Sequence, residues 1–224
     1  MKASDFFTLP ASLASFAAHF PADAEPWEWL RAIGPALAGI QPNLPANVPP
    51  GVQITGAVYL HPSVKLPPYA LIAGPAWIGP ETEIRAGAQI RGNVIAGAGC
   101  VLGNSCEYKN CLLLDKVETA HFNYVGDSVL GTRAHLGAGA VCSNLRLDRQ
   151  PIVVRGPHAN HETGLKKLGA ILGDGAEVGC NAVLNPGTLL GPRSLVMPAM
   201  AFGGYLPPDM MAKARQSVTV IARR

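Results

Sequence analysis

The sequence predicts an all-β fold, a parallel β-helix wound in triangular coils, and three observations carry that reading. Aliphatic residues recur at Ile54, Leu60, Leu66, Ile72, Ile78, Ile84 and Ile90, in unbroken steps of six. A small or β-branched residue stands four positions after each, at Val58, Val64, Ala70, Ala76, Thr82, Ala88 and Val94. The chain of 224 residues carries 25 glycines and 20 prolines with only 6% aromatic residues, a composition suited to frequent tight turns. A period of six excludes an amphipathic helix, which repeats at 3.6, and a simple alternating strand, which repeats at two. Two inward positions per six residues describe a short strand and a turn. Three such units close one coil, each side pairing with the same side of the next coil at about 4.8 Å.

In chain order, residues 1–45 read as a small helical appendage. Asp23 precedes Pro26 at a first-turn position, and WEWLRAIGPALAGI then places Trp27, Leu30 and Ile33 on one face. This appendage is expected to cap the first coil, because a solenoid end needs covering. The stretch Pro42 to Pro50 reads as the linker into the solenoid, residues 46–206, with room for about six to seven coils. The hexad slips after Val94. It returns at Leu130, Leu136 and Cys142, then at Leu172, Val178, Leu184, Leu190 and Val196. Residues 145–169 are charged and off-period, as a loop extruded from one corner would be. The tail 207–224 predicts a short helix after Pro208 and a basic end.

Composition excludes several classes. The length leaves no room for two full catalytic domains, and 48% apolar against 15% charged residues excludes disorder as the main state. A net charge of +3 without a Lys/Arg block gives no nucleic-acid surface, though small anions remain possible ligands. Five cysteines, an odd number without a CxxC pair, argue against a disulfide framework and a zinc knuckle, and read as apolar fillers in a reducing compartment. No stretch reaches the roughly 18 apolar residues of a membrane span and no secretory segment is evident, so a cytoplasmic protein without a membrane partner is expected. The six histidines lack the spacing of a zinc site, so no metal is expected. The segments AGAGC and LGAGA do not lead from a strand into a helix, which makes them solenoid turns and not dinucleotide loops.

Polar residues crowd into Gly103 to Asn144, through GNSCEYKN, ETAHFNYVGDSVLG and LGAGAVCSNLRLD. There the chain resembles the acetyltransferase domain of the bifunctional amino-sugar-1-phosphate acetyltransferase/uridylyltransferases. Asn104, Glu107, Lys109, His121, Tyr124, Gly126, Asp127, Gly137, Ala138, Gly139 and Asn144 fall on that family's pattern, and NLRLDRQP is similar to its archaeal branch. The likeness extends over about residues 54–200. It implies a left-handed β-helix of hexapeptide repeats, although the general crossover rule favours the opposite hand. It further implies a homotrimer, acetyl-coenzyme A as co-substrate, and glucosamine or galactosamine 1-phosphate as acceptor in nucleotide-sugar synthesis.

The chemistry explains these residue types. An amino sugar is largely an ammonium ion at neutral pH, and only its free amine attacks a thioester, so a base is needed. His121 matches the family's base, Glu107 is expected to orient the imidazole, and Tyr124 or a backbone amide near Ala138 to donate to the developing oxyanion. Arg91 and Lys109 match the positions that hold the phosphate. Tyr124, Asn144 and His135 are expected on the acceptor; His135 stands where the family carries asparagine, which leaves the sugar open. Ala138, Cys180 and Pro198 match the coenzyme groove. Lys166, Lys167, Arg193, Lys213, Arg215, Arg223 and Arg224 are available for its phosphates. Nothing in residues 1–50 resembles the relatives' nucleotidyltransferase segment. Two alternatives stand beside this reading: an acyltransferase acting on a nucleotide-linked sugar, or a non-catalytic trimerising or regulatory partner of a sugar nucleotidyltransferase, docking through its helical N-terminus.

Overall fold

The computed structural model describes residues 1–215, 217 and 219–223. The chain forms a left-handed parallel β-helix with three faces. The first face stacks eight rungs: Gly51–Thr55, Tyr69–Ala73, Gln89–Arg91, the starts of Glu107–Leu113 and Tyr124–Leu130, then Val141–Cys142, Val183–Leu184 and Ala201–Phe202. The second face runs from Val58–Leu60 through Ala76–Ile78, Val94–Ala96 and the ends of those two long strands to Ala170–Leu172, Thr188–Leu190 and Tyr205–Leu206. The third carries Glu83–Ile84, Val101–Asn104, Glu118–His121, His135–Leu136, Glu177–Val178, Leu195–Val196 and Met211–Ala212. Inward Ile72, Ile78, Ile84 and Ile90 and their small partners Ala70, Ala76 and Ala88 are buried, as the hexad requires. Thr82 occupies the same kind of position because its hydroxyl is satisfied inside, donating to the Gly97 carbonyl at 2.9 Å and accepting from the Cys100 amide at 3.1 Å.

The slip in the period has a geometric cause. Ile72, Ile90 and Tyr108 pair in steps of eighteen, whereas Tyr108, Val125 and Cys142 pair in steps of seventeen. The missing residue comes out of the corner between the first and second faces. There Asn110 and Asp127 each turn the chain alone, with left-handed φ of 48°, a conformation that Asn and Asp tolerate better than other residues with a side chain. Tyr108 fills the coil interior at this level, its phenol 2.6 Å from Thr119 Oγ1 and accepting from the Gly103 amide at 2.9 Å.

Leu30 and Ile33 are buried on the helix Glu28–Leu37 (α1), and Trp27, which precedes its first residue, is buried beside them. The appendage does not cap the first coil. Two 3-10 segments, Ala3–Asp5 and Ala11–His19, and α1 lie along the second face, where Trp77, Ile95, Leu112, Val129, Ile171 and Leu189 form an outward apolar column. An exposed column of that kind costs far more than an open solenoid end, so the arm is recruited to the side. Phe16 meets Trp77 edge-on, and Phe6 meets Tyr205 in the last coil. Asp115 accepts from Ser12, and Asp174 accepts from the Thr8 amide at 3.0 Å, fastening the arm to the corners. The apolar face of the arm is thus used within the chain, against the second face.

Within residues 145–169 the chain forms an antiparallel hairpin, Val153–Arg155 with Asn160–Glu162. It folds back beside the arm with Ile152, Val154 and Leu168 buried, and Arg31 Nη2 donates to the Thr163 carbonyl at 2.5 Å. The helix expected after Pro208 is not formed among the described residues. Pro207, Pro208 and Asp209 make one more corner, and Met211–Ala212 pairs in parallel with Leu195–Val196, extending the third face. Arg193 grips the Asp209 carboxylate through both oxygens at 2.6 and 2.7 Å. Arg224 lies outside the described residues.

Replacing Ile33 by Ala on α1 is expected to cost about 2–5 kcal/mol in chemical denaturation, the range for truncating a buried aliphatic side chain. It should also open residues 1–40 to limited proteolysis. Wild-type resistance in both assays would show that the arm is not held by this packing.

Candidate active site

His121 ends the strand Glu118–His121, and the register carries it onto Ala138 of the next rung, Cys180 of the one after and Pro198 beyond. Three backbone bonds fix this column: Gly139 N–H to the His121 carbonyl at 3.0 Å, Asn181 N–H to that of Ala138 at 2.9 Å, and Ala199 N–H to that of Cys180 at 2.9 Å. The residues that the resemblance assigns to the base and the coenzyme groove thus stack along one corner, between the third and first faces. Two glycines make the stacking possible. A Cβ on Gly137 would lie 2.6 Å from the Cys180 nitrogen, and one on Gly179 2.4 Å from that of Pro198. Beside the column runs a groove of about 230 Å³, bordered by His135, Glu177, Gly179, Cys180, Met197 and Pro198. The His121 side chain is exposed, and among the described residues none hydrogen-bonds its ring; its ring neighbour is Phe122, at 6.2 Å between centroids.

Around the corner, the first face carries a polar cluster. Arg91 and Lys109 occupy neighbouring rungs, and Glu107 pairs in register with Tyr124. Arg91 Nη1 donates to Glu107 Oε1 at 2.5 Å. Lys109 Nζ lies 3.1 Å from both oxygens of Asp127. Asn110 Nδ2 donates to Asp127 Oδ1 at 2.9 Å, and Asn144 Nδ2 to Asp127 Oδ2 at 2.6 Å and to the Tyr124 hydroxyl at 3.1 Å. Burial pushes the Tyr124 phenol above its usual range, and the carboxylates of Glu107 and Asp127 add to the shift, outweighing the Asn144 bond that opposes it. The Glu107 carboxylate likewise raises Arg91.

Two expectations change. Glu107 makes no hydrogen bond to His121 within the chain: it sits on the first face turned to Arg91, while His121 terminates a strand of the third. His135 does not join Arg91, Lys109, Tyr124 and Asn144. It lies on the third face, in register between Glu118 and Glu177, and borders the groove of Cys180 and Pro198. Of the basic residues expected to be free for phosphates, Arg193 is engaged by Asp209. Asp127 was placed on the family's pattern without a role, yet three side chains converge on it. The two successive seventeen-residue steps were its signal in the sequence, since they mark a corner of unusual shape. Among the described residues no cluster of His, Cys, Asp or Glu is arranged to hold a metal, and no helix is long and apolar enough to cross a membrane.

The family profile of the GMPPB C-terminal domain matches residues 72–197. The chain belongs to this family, among the hexapeptide-repeat acetyltransferase relatives of GlmU. It is 31% identical over 173 residues to the bifunctional protein GlmU of Methanococcus vannielii, covering 76% of this chain and 41% of that protein. The uncharacterized acetyltransferase YaiX of Escherichia coli strain K12 is 32% identical over 155 residues, 69% of this chain and 67% of that one. This family member therefore spans less than half the length of the GlmU protein it matches.

Four cysteines of this hexapeptide-repeat protein are buried and one, Cys180, is exposed. Burial pushes the Cys100 and Cys142 thiols up to about 12 and raises Cys106 and Cys111 as well. Native protein treated with a thiol reagent is expected to label at Cys180 alone, and at all five after denaturation. Rapid labelling at two or more native sites would contradict the packing.

Proposed function

We propose that the protein is an acetyl-coenzyme A-dependent N-acetyltransferase acting on an amino-sugar 1-phosphate, with His121 as general base. The observation that supports this most is the corner itself: His121 stacks in register with Ala138, Cys180 and Pro198, the last two bordering a groove, and the next strand begins at Tyr124 on the face that carries Arg91 and Lys109. The groove takes the pantetheine arm, and its thioester reaches the His121 rung. Lys109 and Arg91, one and two rungs from Tyr124 and so about 5 and 10 Å along the axis, take the phosphate. Arg91 spends one of its five N–H donors on Glu107, leaving others for the ligand. The amine nitrogen attacks the acetyl carbon, the C–N bond forms and the C–S bond breaks. The proton lost by the amine passes to His121 and from there to the coenzyme thiolate, while Tyr124 donates to the oxygen that becomes negative. The scheme uses no metal. A homotrimer would close the exposed side of the corner with a second copy, and reduced thiols suit the cytoplasm.

A nucleotide-linked amino sugar is favoured by a second observation. A groove of about 220 Å³ continues from Arg91 away from His121, lined by Gln89, Leu71, Ala73, Gln53 and Thr55. Half-exposed Leu71 lies in register between Gln53 and Gln89, an apolar platform with amides on both sides, suited to a heterocyclic base.

Purified protein incubated with acetyl-coenzyme A and glucosamine 1-phosphate, galactosamine 1-phosphate or a uridine-diphosphate-linked amino sugar tests both. Thiol release with an N-acetylated product from a 1-phosphate is the expected result. Product only from the nucleotide-linked sugar selects the second acceptor, and none from any amine overturns the activity.

A further inference from the structure

We propose that Asp127 is a positioning residue: it fixes the direction of the hydrogen bond between Asn144 and Tyr124 and thereby leaves the Tyr124 phenol proton free to donate to the reacting acyl oxygen. The proposal rests on the acetyl-transfer reading and goes beyond it by giving a role to a buried carboxylate that the scheme does not otherwise use.

The side chain of Asp127 is 5% exposed, a position where an unpaired carboxylate would be costly. It is paired by Lys109, Asn110 and Asn144. An ionised carboxylate only accepts. At 2.6 Å from Oδ2, the Asn144 side chain must present its NH2 and not its carbonyl, which removes the usual ambiguity of an amide. The second hydrogen of the same NH2 points to the Tyr124 oxygen at 3.1 Å. That oxygen is therefore an acceptor in this bond, and its own proton is directed elsewhere. A phenol is protonated at neutral pH, and burial moves that of Tyr124 further above its ordinary range. The geometry is held on every side. Asp127 makes its corner in the left-handed region, and its carbonyl accepts from the Gly169 amide at 2.7 Å, where the chain returns from the hairpin. Gly126 leaves the space in which the Tyr124 hydroxyl and the Asn144 amide meet. An asparagine at 127 could turn its own NH2 toward Asn144, let that amide flip, and draw the Tyr124 proton into the bond.

Asp127→Asn keeps the volume and tolerates the same backbone conformation. In acetyl transfer it is expected to lower kcat by about 10²–10³, the loss typical of one oxyanion donor, with the KM for acetyl-coenzyme A unchanged. Tyr124→Phe should lose as much, and the double variant no more than Tyr124→Phe alone. Multiplying effects, a wild-type kcat in Asp127→Asn, or a change confined to the KM of the acceptor would overturn the proposal. A readout without turnover separates it from the reaction itself. In amide NMR, both side-chain protons of Asn144 should exchange slowly in the wild type and rapidly in Asp127→Asn. Protein that transfers no acetyl group yet shows this pattern would refute the activity while supporting the bond direction. Fast exchange in the wild type would refute the bond direction whatever the activity.

Discussion

His121→Ala is expected to lower kcat/KM for acetyl transfer by about 10²–10⁴, the contribution of a well-placed general base. Stability should stay within about 0.5 kcal/mol of wild type, as for surface substitutions that remove no packing. The two halves of that expectation have separate grounds. The imidazole is exposed and hydrogen-bonded to no side chain among the described residues, so folding does not lean on it. The strand beneath it is held by its backbone, through the Gly139 amide on the His121 carbonyl, which alanine keeps. Thiol release from acetyl-coenzyme A measures the first half and thermal unfolding the second. Unchanged turnover would remove His121 from the chemistry, whereas lost activity accompanied by lost folding would leave its role structural.

The second large effect is expected at Gly126, a residue that touches no reactant in the scheme. A Cβ there would stand 2.5 Å from the Tyr124 hydroxyl and 2.7 Å from Asn144 Nδ2. Both atoms end movable side chains, so Gly126→Ala should fold by displacing them. Displacement on that scale costs about 10² in rate at a site that depends on position. Activity should therefore fall about a hundredfold. A variant that keeps full activity would show that Tyr124 and Asn144 need not meet.

Much of this was legible in the sequence because a hexad is a local rule. Every inward aliphatic from Ile72 to Ile90 is a buried rung position, whereas the grouping of His121, Ala138, Cys180 and Pro198 came from the resemblance and not from the period, which the off-period residues 145–169 interrupt. The unread features are those in which distant segments choose a surface. Residues 1–40 carry helix signals but no mark of their destination. That was set by the outward members of the second face, Ile95, Leu112 and Ile171, which stand next to inward residues and read as ordinary strand. The tail departs from its local signal for the opposite reason: MMAKAR favours helix locally, but pairing of Met211–Ala212 onto an existing sheet edge outweighs a single turn of helix. Glu107 falls on the family's pattern and His135 departs from it, and neither fact tells which of three faces a side chain leaves from. Asp127 depends on a corner one residue short, visible in the sequence only as a slip.

Diffraction from crystals grown with coenzyme A tests the central claim most directly. The account expects the pantetheine arm along Ala138, Cys180 and Pro198 with its sulfur beside His121. Coenzyme bound at any other face, or a thiol remote from that imidazole, would contradict it.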